Sequence, residues 1–230
     1  MKPRVSVVIP SRLSQETILD SCKSVLSQDF KDIEVIVVVN GPLDKTPDLV
    51  LSLEDPRVRI EESEEGIVPA LNRGLSLARG EIIARQDADD VWLPGKLSKQ
   101  VSAFDSGLGN VIGTQMKIVQ SGHPDSVTSY PKTHEEIIEW FSKFNNPIGH
   151  PSVAYRRSIL DRVGGYWDFF PLAEDFDLWM RMLPFAKFAN IDFVGVQYNF
   201  RPNPKYSHEV PKILISHYAN LYNSYRSRTK

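Results

Sequence analysis

The sequence predicts an α/β fold on a mostly parallel central sheet flanked by helices, with a less regular second half. Three observations predict it. Val5 to Ile9 and Glu34 to Val39 are β-branched runs without alternation, the pattern of strands covered on both faces. Ile18, Cys22 and Val25 lie between them at helical spacing, so the first forty residues read as a βαβ unit. The strand-helix rhythm then repeats through residues 1–110.

Taken in order, Ser14 is placed to cap the first helix. Val58 to Ile60 reads as a short third strand, followed by an acidic loop (Glu61, Glu62, Glu64, Glu65) that ends at Gly66. Ile67, Leu71, Leu75 and Ala78 mark one face of a helix, which Arg79-Gly80 would close with a cationic last turn and a left-handed glycine cap. Glu81 to Gln86 is the next strand and delivers Asp87 to its carboxyl end. Pro94 opens a helix with Leu97, Val101 and Phe104 as its buried stripe.

The second half, 111–230, starts with a strand from Val111 to Val119. Thr133 and Glu136 form a capping box ahead of Ile137, Ile138 and Phe141. A short helix spans Ser158 to Val163 and stops at Gly164-Gly165. Another begins near Asp175, with Leu178, Trp179 and Met182 inward, followed by a strand from Phe193 to Phe200 and a final helix opened by Pro211 with Leu214, Tyr218 and Leu221 inward. No repeat or linker divides the chain, so residues 1–230 are expected to form a single domain.

Composition excludes some functions. Lys plus Arg total 27 against 29 Asp plus Glu, a net charge of -2, which gives no global field for nucleic acid. An anionic ligand must therefore be held by a local site. The single cysteine, Cys22, sits on the apolar side of its helix and reads as a core filler, in keeping with a reducing compartment. The amino terminus MKPRVSVVIP reads as a first strand rather than a signal core, and no run approaches a membrane span. The basic ending SYRSRTK reads as a solvated tail that leaves contact with an anionic membrane face open.

Chemistry concentrates at "QDADDVW". In an open parallel sheet, ligands bind beyond the carboxyl ends of the strands. Asp87, Asp89 and Asp90 stand at such an end, as do Pro10-Ser11 and Asn40-Gly41. An Asp-x-Asp pair suits a hard divalent cation that carries a diphosphate; the competing reading is a solvated turn capping the helix after Pro94. Glu174-Asp175, in "LAEDFDLWMRM", is either a helix cap or a general base whose proton affinity is lifted by Phe169, Phe170, Phe176 and Trp179. Asp177 reads as an exposed first-turn residue. Trp92, Trp179, Met180 and Met182 read as core, and a lone His150 as a structural histidine.

The stretches "VSVVIPS…SVLSQDFKDIEVIVVVNG", "GIVPALNRGLSLARGEIIARQDADDVWLPGKLSKQ" and "HPSVAYRRSILDRVGGYWDFFPLAEDFDLWMRM" resemble, in order and spacing, family 2 glycosyltransferases of the GT-A, Rossmann-like fold. The resemblance covers Val5 to Leu183. It implies an inverting transferase of polysaccharide biosynthesis that moves a sugar from a nucleoside diphosphate, UDP first, to a saccharide or lipid-linked saccharide, aided by Mn²⁺ or Mg²⁺. Residues 1–110 would then bind the nucleotide sugar and residues 111–230 the acceptor.

Residue by residue, the resemblance implies that Pro10 and Ser11 line the nucleoside pocket and that Asn40 stands in place of a base- or ribose-contacting aspartate. Asn72 belongs to the donor-side "ALNRG" segment. Asp87 would contact ribose or donor and share the metal with Asp89, while Asp175, beside Glu174, would deprotonate the acceptor. Arg201 and His208 lie where the chain can fold back over the donor, Arg201 reading equally as a surface ion pair. A cytoplasmic enzyme is expected, peripheral at the membrane if its acceptor is a lipid, with a homodimer compatible with the apolar helix faces.

Two departures bear on donor choice: Val39-Asn40-Gly41-Pro42 replaces the family's common D-D-G-S, and Ser11-Arg12-Leu13 replaces Thr-Tyr-Asn. Two rivals remain. A sugar nucleotidyltransferase would carry a glycine-rich basic loop after the first strand, where this chain has PSRLSQ. A catalytically silent nucleotide- or sugar-binding module would have no use for the Glu174-Asp175 base.

Overall fold

The computed structural model describes residues 2–170, 172–201 and 218. The helix expected from Pro211, the SYRSRTK tail and His208 lie outside these residues, Tyr218 excepted.

The first half alternates β1 (Val5–Ser11), α1 (Ile18–Leu26), β2 (Ile33–Asn40), α2 (Thr46–Leu51), β3 (Val58–Ser63), α3 (Ile67–Leu77) and β4 (Ile82–Arg85). There follow β5 (Val91–Trp92), α4 (Lys96–Asp105), β6 (Val111–Val119), β7 (Ser126–Val127), α5 (His134–Ser142), β8 (Ala154–Arg156), α6 (Arg157–Val163), α7 (Glu174–Met182) and β9 (Phe188–Asn199). One sheet takes strands from both halves in the order β3-β2-β1-β4-β8-β6-β9-β5, with β7 beside β6. The pairings β1 with β2, β1 with β4, β2 with β3 and β6 with β9 are parallel and long. Those of β8, β5 and β7 are antiparallel and short.

The unbroken apolar runs of β1 and β2 have the predicted cause: both faces are covered. Val5, Val7 and Ile9 face a core with Cys22, Leu97 and Phe104, while Val8 faces the opposite core with Leu71, Phe141 and Trp179. The stripes foreseen on α4 and α7 are buried, as are Ile137 and Phe141 of α5, with Ile138 half-buried, and the Thr133-Glu136 capping box is formed. No described helix is long and apolar enough to cross a membrane.

Several expectations fail for local reasons. Ser14 does not cap α1: Thr17 occupies that position, and Ser14 uses its carbonyl to receive Thr17 N and Ile18 N at 3.0 and 2.9 Å. Glu61 and Glu62 belong to the sheet-edge strand β3 rather than a loop. Gly80 is needed for space, not for a left-handed cap, since a Cβ there would stand 2.6 Å from Ser6 N. Arg79 is drawn instead to buried Glu34, with Nε and Nη2 at 2.9 and 2.8 Å from its carboxylate. Helix α4 starts at Lys96 behind Gly95, which takes φ +83, so Pro94 precedes the helix rather than opening it. Asp177 is fully buried, held by Arg181 at 2.6 Å and by the Tyr218 hydroxyl. Helix α2 and strands β5, β7 and β8 were not anticipated.

Candidate active site

Strands β1, β2 and β4 run parallel, so Ser11, Asn40 and Arg85 end on one rim, and the chain turns there through Asp87, Asp89 and Asp90. One ligand oxygen from each of these aspartates lies within 4.8 Å of the others. Charges so close repel by roughly 3 kcal/mol per pair at an effective dielectric near 20. Among the described residues this is the acidic cluster compact enough to share one cation.

Each aspartate has a different partner. Asp87 forms an ion pair with Arg85, a guanidinium buried at the end of β4. Asp89 faces solvent and the Arg201 Nε at 4.0 Å. Asp90 is fully buried; its Oδ1 accepts from Asn199 N at 2.9 Å, while its Oδ2 has no hydrogen-bond partner. Burial, then repulsion by Asp87, pushes the Asp90 carboxyl up to about 8. The same two causes raise Asp89, against the opposing pull of Arg201 and Arg85. The cluster is therefore short of positive charge, and its all-oxygen donor set suits Mn²⁺ or Mg²⁺.

Glu174 and Asp175 open α7 and are half-buried. Asp175 Oδ2 accepts from Asn146 Nδ2 at 2.7 Å and Oδ1 from Phe176 N at 2.6 Å. Burial raises Asp175, while those bonds and Arg85 hold it down. Glu174 is pushed up to about 7 by burial and by Asp175 next to it, and its Oε2 has no partner. Neither side chain is a cap of α7 through a side-chain hydrogen bond. Arg85 touches Asp87, and its positive charge also favours the ionised forms of Asp89, Asp90, Glu174 and Asp175. The sequence offered one signal for this residue, a lone arginine inside the apolar strand "EIIARQ".

The other expected site residues divide. Pro10 and Ser11 lie in the last turn of strand before the rim, and the buried Ser11 hydroxyl has no partner. Asn40 donates Nδ2 to Ser11 O and accepts Gly66 N at Oδ1, both at 3.1 Å, so it ties β1, β2 and α3 together. An aspartate could not make the donation to Ser11, which accounts for Asn at this position. Asn72 is similarly occupied: Nδ2 donates to Tyr166 O at 2.9 Å and Oδ1 accepts Tyr166 N at 2.8 Å. His150 is structural, as expected, with Nε2 2.9 Å from the Tyr166 hydroxyl and its pKa driven well down by burial. Trp92 and Trp179 are core. Lys96, fully buried, has its Nζ 3.8 Å from the Trp92 ring centroid and donates to Gln100 Oε1 at 2.9 Å.

A mostly parallel sheet flanked by helices, with an aspartate turn on its carboxyl rim, is the architecture of a GT-A fold. The chain belongs to glycosyl transferase family 2, whose profile matches residues 6–164. The O-antigen biosynthesis glycosyltransferase WbnJ of Escherichia coli is 30% identical over 184 residues, covering 78% of this chain and 71% of that one. An uncharacterized glycosyltransferase of Nostoc is 30% identical over 70% of this chain and 53% of its own, so this chain spans about half that relative's length. S. aureus TarS 1-349 in complex with UDP-GlcNAc superposes with a TM-score of 0.75 at 22% identity, covering 94% of this chain and 67% of TarS. Mannosyltransferase PcManGT of Pyrobaculum calidifontis, with GDP-Man and Mn²⁺, gives 0.68 at 20% identity over 97% and 65%. At those identities the likeness concerns the fold.

Proposed function

We propose that this chain transfers a sugar from a nucleoside diphosphate to an acceptor hydroxyl with inversion. The observation that carries the reading is the compact Asp87-Asp89-Asp90 turn, paired with buried Arg85, on the carboxyl rim of a family 2 sheet, with the charge of Arg85 also felt at Glu174 and Asp175. Pro10 and Ser11 line the nucleoside pocket, and Asn40 and Asn72 brace it. Asp87 meets the ribose or donor, and Asp89, with Asp87, holds a divalent cation. A divalent cation held by these carboxylates would supply positive charge to neutralise the departing diphosphate.

Asp175 accepts the proton of the acceptor hydroxyl, and the freed oxygen attacks the anomeric carbon on the face opposite the diphosphate. One displacement inverts that centre, and no covalent nucleophile on the protein is needed. Burial raises the proton affinity of Asp175 and so strengthens it as a base, while Glu174 beside it is pushed up to about 7 by burial and by Asp175. UDP is the first donor choice, supported by the TarS complex and by the E. coli relative named as a UDP-Glc:α-D-GlcNAc-diphosphoundecaprenol glucosyltransferase, 28% identical over 78% of this chain. That relative's acceptor supports a lipid-linked saccharide here, which would bring the protein to a membrane surface.

Calorimetric titration with UDP, GDP and dTDP, each with and without Mn²⁺, tests the donor site in wild type and Asp89→Ala. The expected result is Mn²⁺-dependent binding of one nucleotide, abolished in the variant. No binding of any nucleotide would assign the fold to a silent module instead.

A further inference from the structure

The aspartate turn is gripped from behind. The Ser21 hydroxyl, on α1, donates to the main-chain carbonyl of Asp87 at 2.7 Å. Asn199 Nδ2, at the end of β9, donates to the carbonyl of Asp89 at 2.6 Å. Gln86 Nε2 donates to the carbonyl of Asp90 at 2.7 Å and to Ser21 Oγ at 3.1 Å. Asn199 N adds its bond to Asp90 Oδ1. Ser21 and Gln86 are fully buried, and Ser21 and Asn199 reach the turn from 66 and 110 residues away in sequence.

Three carboxylates this close relax most readily by rotating the peptide planes between them. A plane whose carbonyl is already engaged cannot rotate without breaking that bond. The repulsion is thereby contained in a fixed backbone, and the half-exposed Asp89 carboxylate and the unpartnered Asp90 Oδ2 are left for a ligand.

We propose that Ser21, Gln86 and Asn199 are positioning residues that hold the Asp87–Asp90 turn in its cation-receptive shape before any cation arrives. The inference rests on the assignment of Asp89 and Asp87 as metal ligands made above. Their role is one of preorganisation: with the backbone free, the empty turn spreads and must be gathered again at each binding event.

Mn²⁺ binding measured by electron paramagnetic resonance of the free ion, with UDP present, tests this in wild type, Ser21→Ala, Asn199→Ala and the double variant. Each single change should weaken Mn²⁺ binding roughly tenfold, and the double change more. The Mn²⁺ concentration for half-maximal turnover should rise by the same factor, a larger change than in kcat. Melting in EDTA verifies the fold; should Ser21→Ala fail to fold, Asn199→Ala, at a half-buried strand end, carries the test alone. Folded variants that bind Mn²⁺ as tightly as wild type would overturn the inference. A wild-type protein that binds no Mn²⁺ would overturn the metal assignment itself and the inference with it.

Discussion

At the aspartate turn, three hydrogen bonds arriving from outside it or from Gln86 end on main-chain carbonyls. At Asp175, the bonds from Asn146 and Phe176 end on the carboxylate itself. The first arrangement fixes a backbone; Arg85 pairs with Asp87 and Asn199 N with Asp90 Oδ1, and Asp89 and Asp90 Oδ2 are left for a cation. The second sets how tightly one carboxylate holds a proton. Under the proposed function the two acidic groups would serve different chemistry through where their neighbours donate, and the charge of buried Arg85 favours ionisation in both.

Removing that charge is the strongest way to break the contrast. Arg85→Met leaves Asp87 unpaired beside Asp89 and Asp90, and urea unfolding should show a loss of about 3–5 kcal/mol. A variant as stable as wild type would mean that solvent, not Arg85, compensates the turn.

Glu174→Gln sharpens the comparison through pH. The Glu174 carboxyl is raised from 4.5 to about 7 in the folded state, so the folded protein keeps a proton that the unfolded chain releases. Stability present below pH 4.5 is then lost as pH climbs toward 7. Glu174→Gln should melt on the order of 2–4 °C above wild type at pH 8 and show no such gain at pH 4.5. An equal gain at both values would contradict the burial of this charge.

The smallest effect is expected from Asn146→Ala. Asn146 donates to the ionised form of Asp175, so its loss raises the Asp175 pKa. The acid limb of the kcat profile should move up by about one pH unit, with metal-dependent nucleotide binding unchanged.

Much of this was legible locally. The Thr133-Glu136 capping box, the α7 stripe and the β1 and β2 runs were read from spacing alone, because each depends on neighbours within a few residues. Asp177 was misread because its burial comes from Arg181, four residues on, and from Tyr218, forty-one away; the i,i+4 Asp-Arg spacing was the available signal. Strands β5 and β8 are two and three residues long, too short to show periodicity. Helix α2 was announced by Thr46-Pro47 and overlooked. The clustering of Asp87, Asp89 and Asp90 was legible because the three lie within four positions of one turn. Ser21, Asn146 and Asn199 were not legible, since ordinary polar residues become specific only when the fold brings distant segments together.

The central claim is that the two acidic groups divide the work, one holding the donor and the other taking the proton. Mn²⁺-dependent nucleotide affinity and sugar transfer from the matching donor should therefore be measured side by side in Asp89→Ala and Asp175→Asn. The account predicts that Asp89→Ala loses nucleotide binding, whereas Asp175→Asn binds as wild type and transfers roughly 10²–10⁴-fold more slowly. Loss of nucleotide binding in Asp175→Asn, or its undiminished turnover, would contradict it.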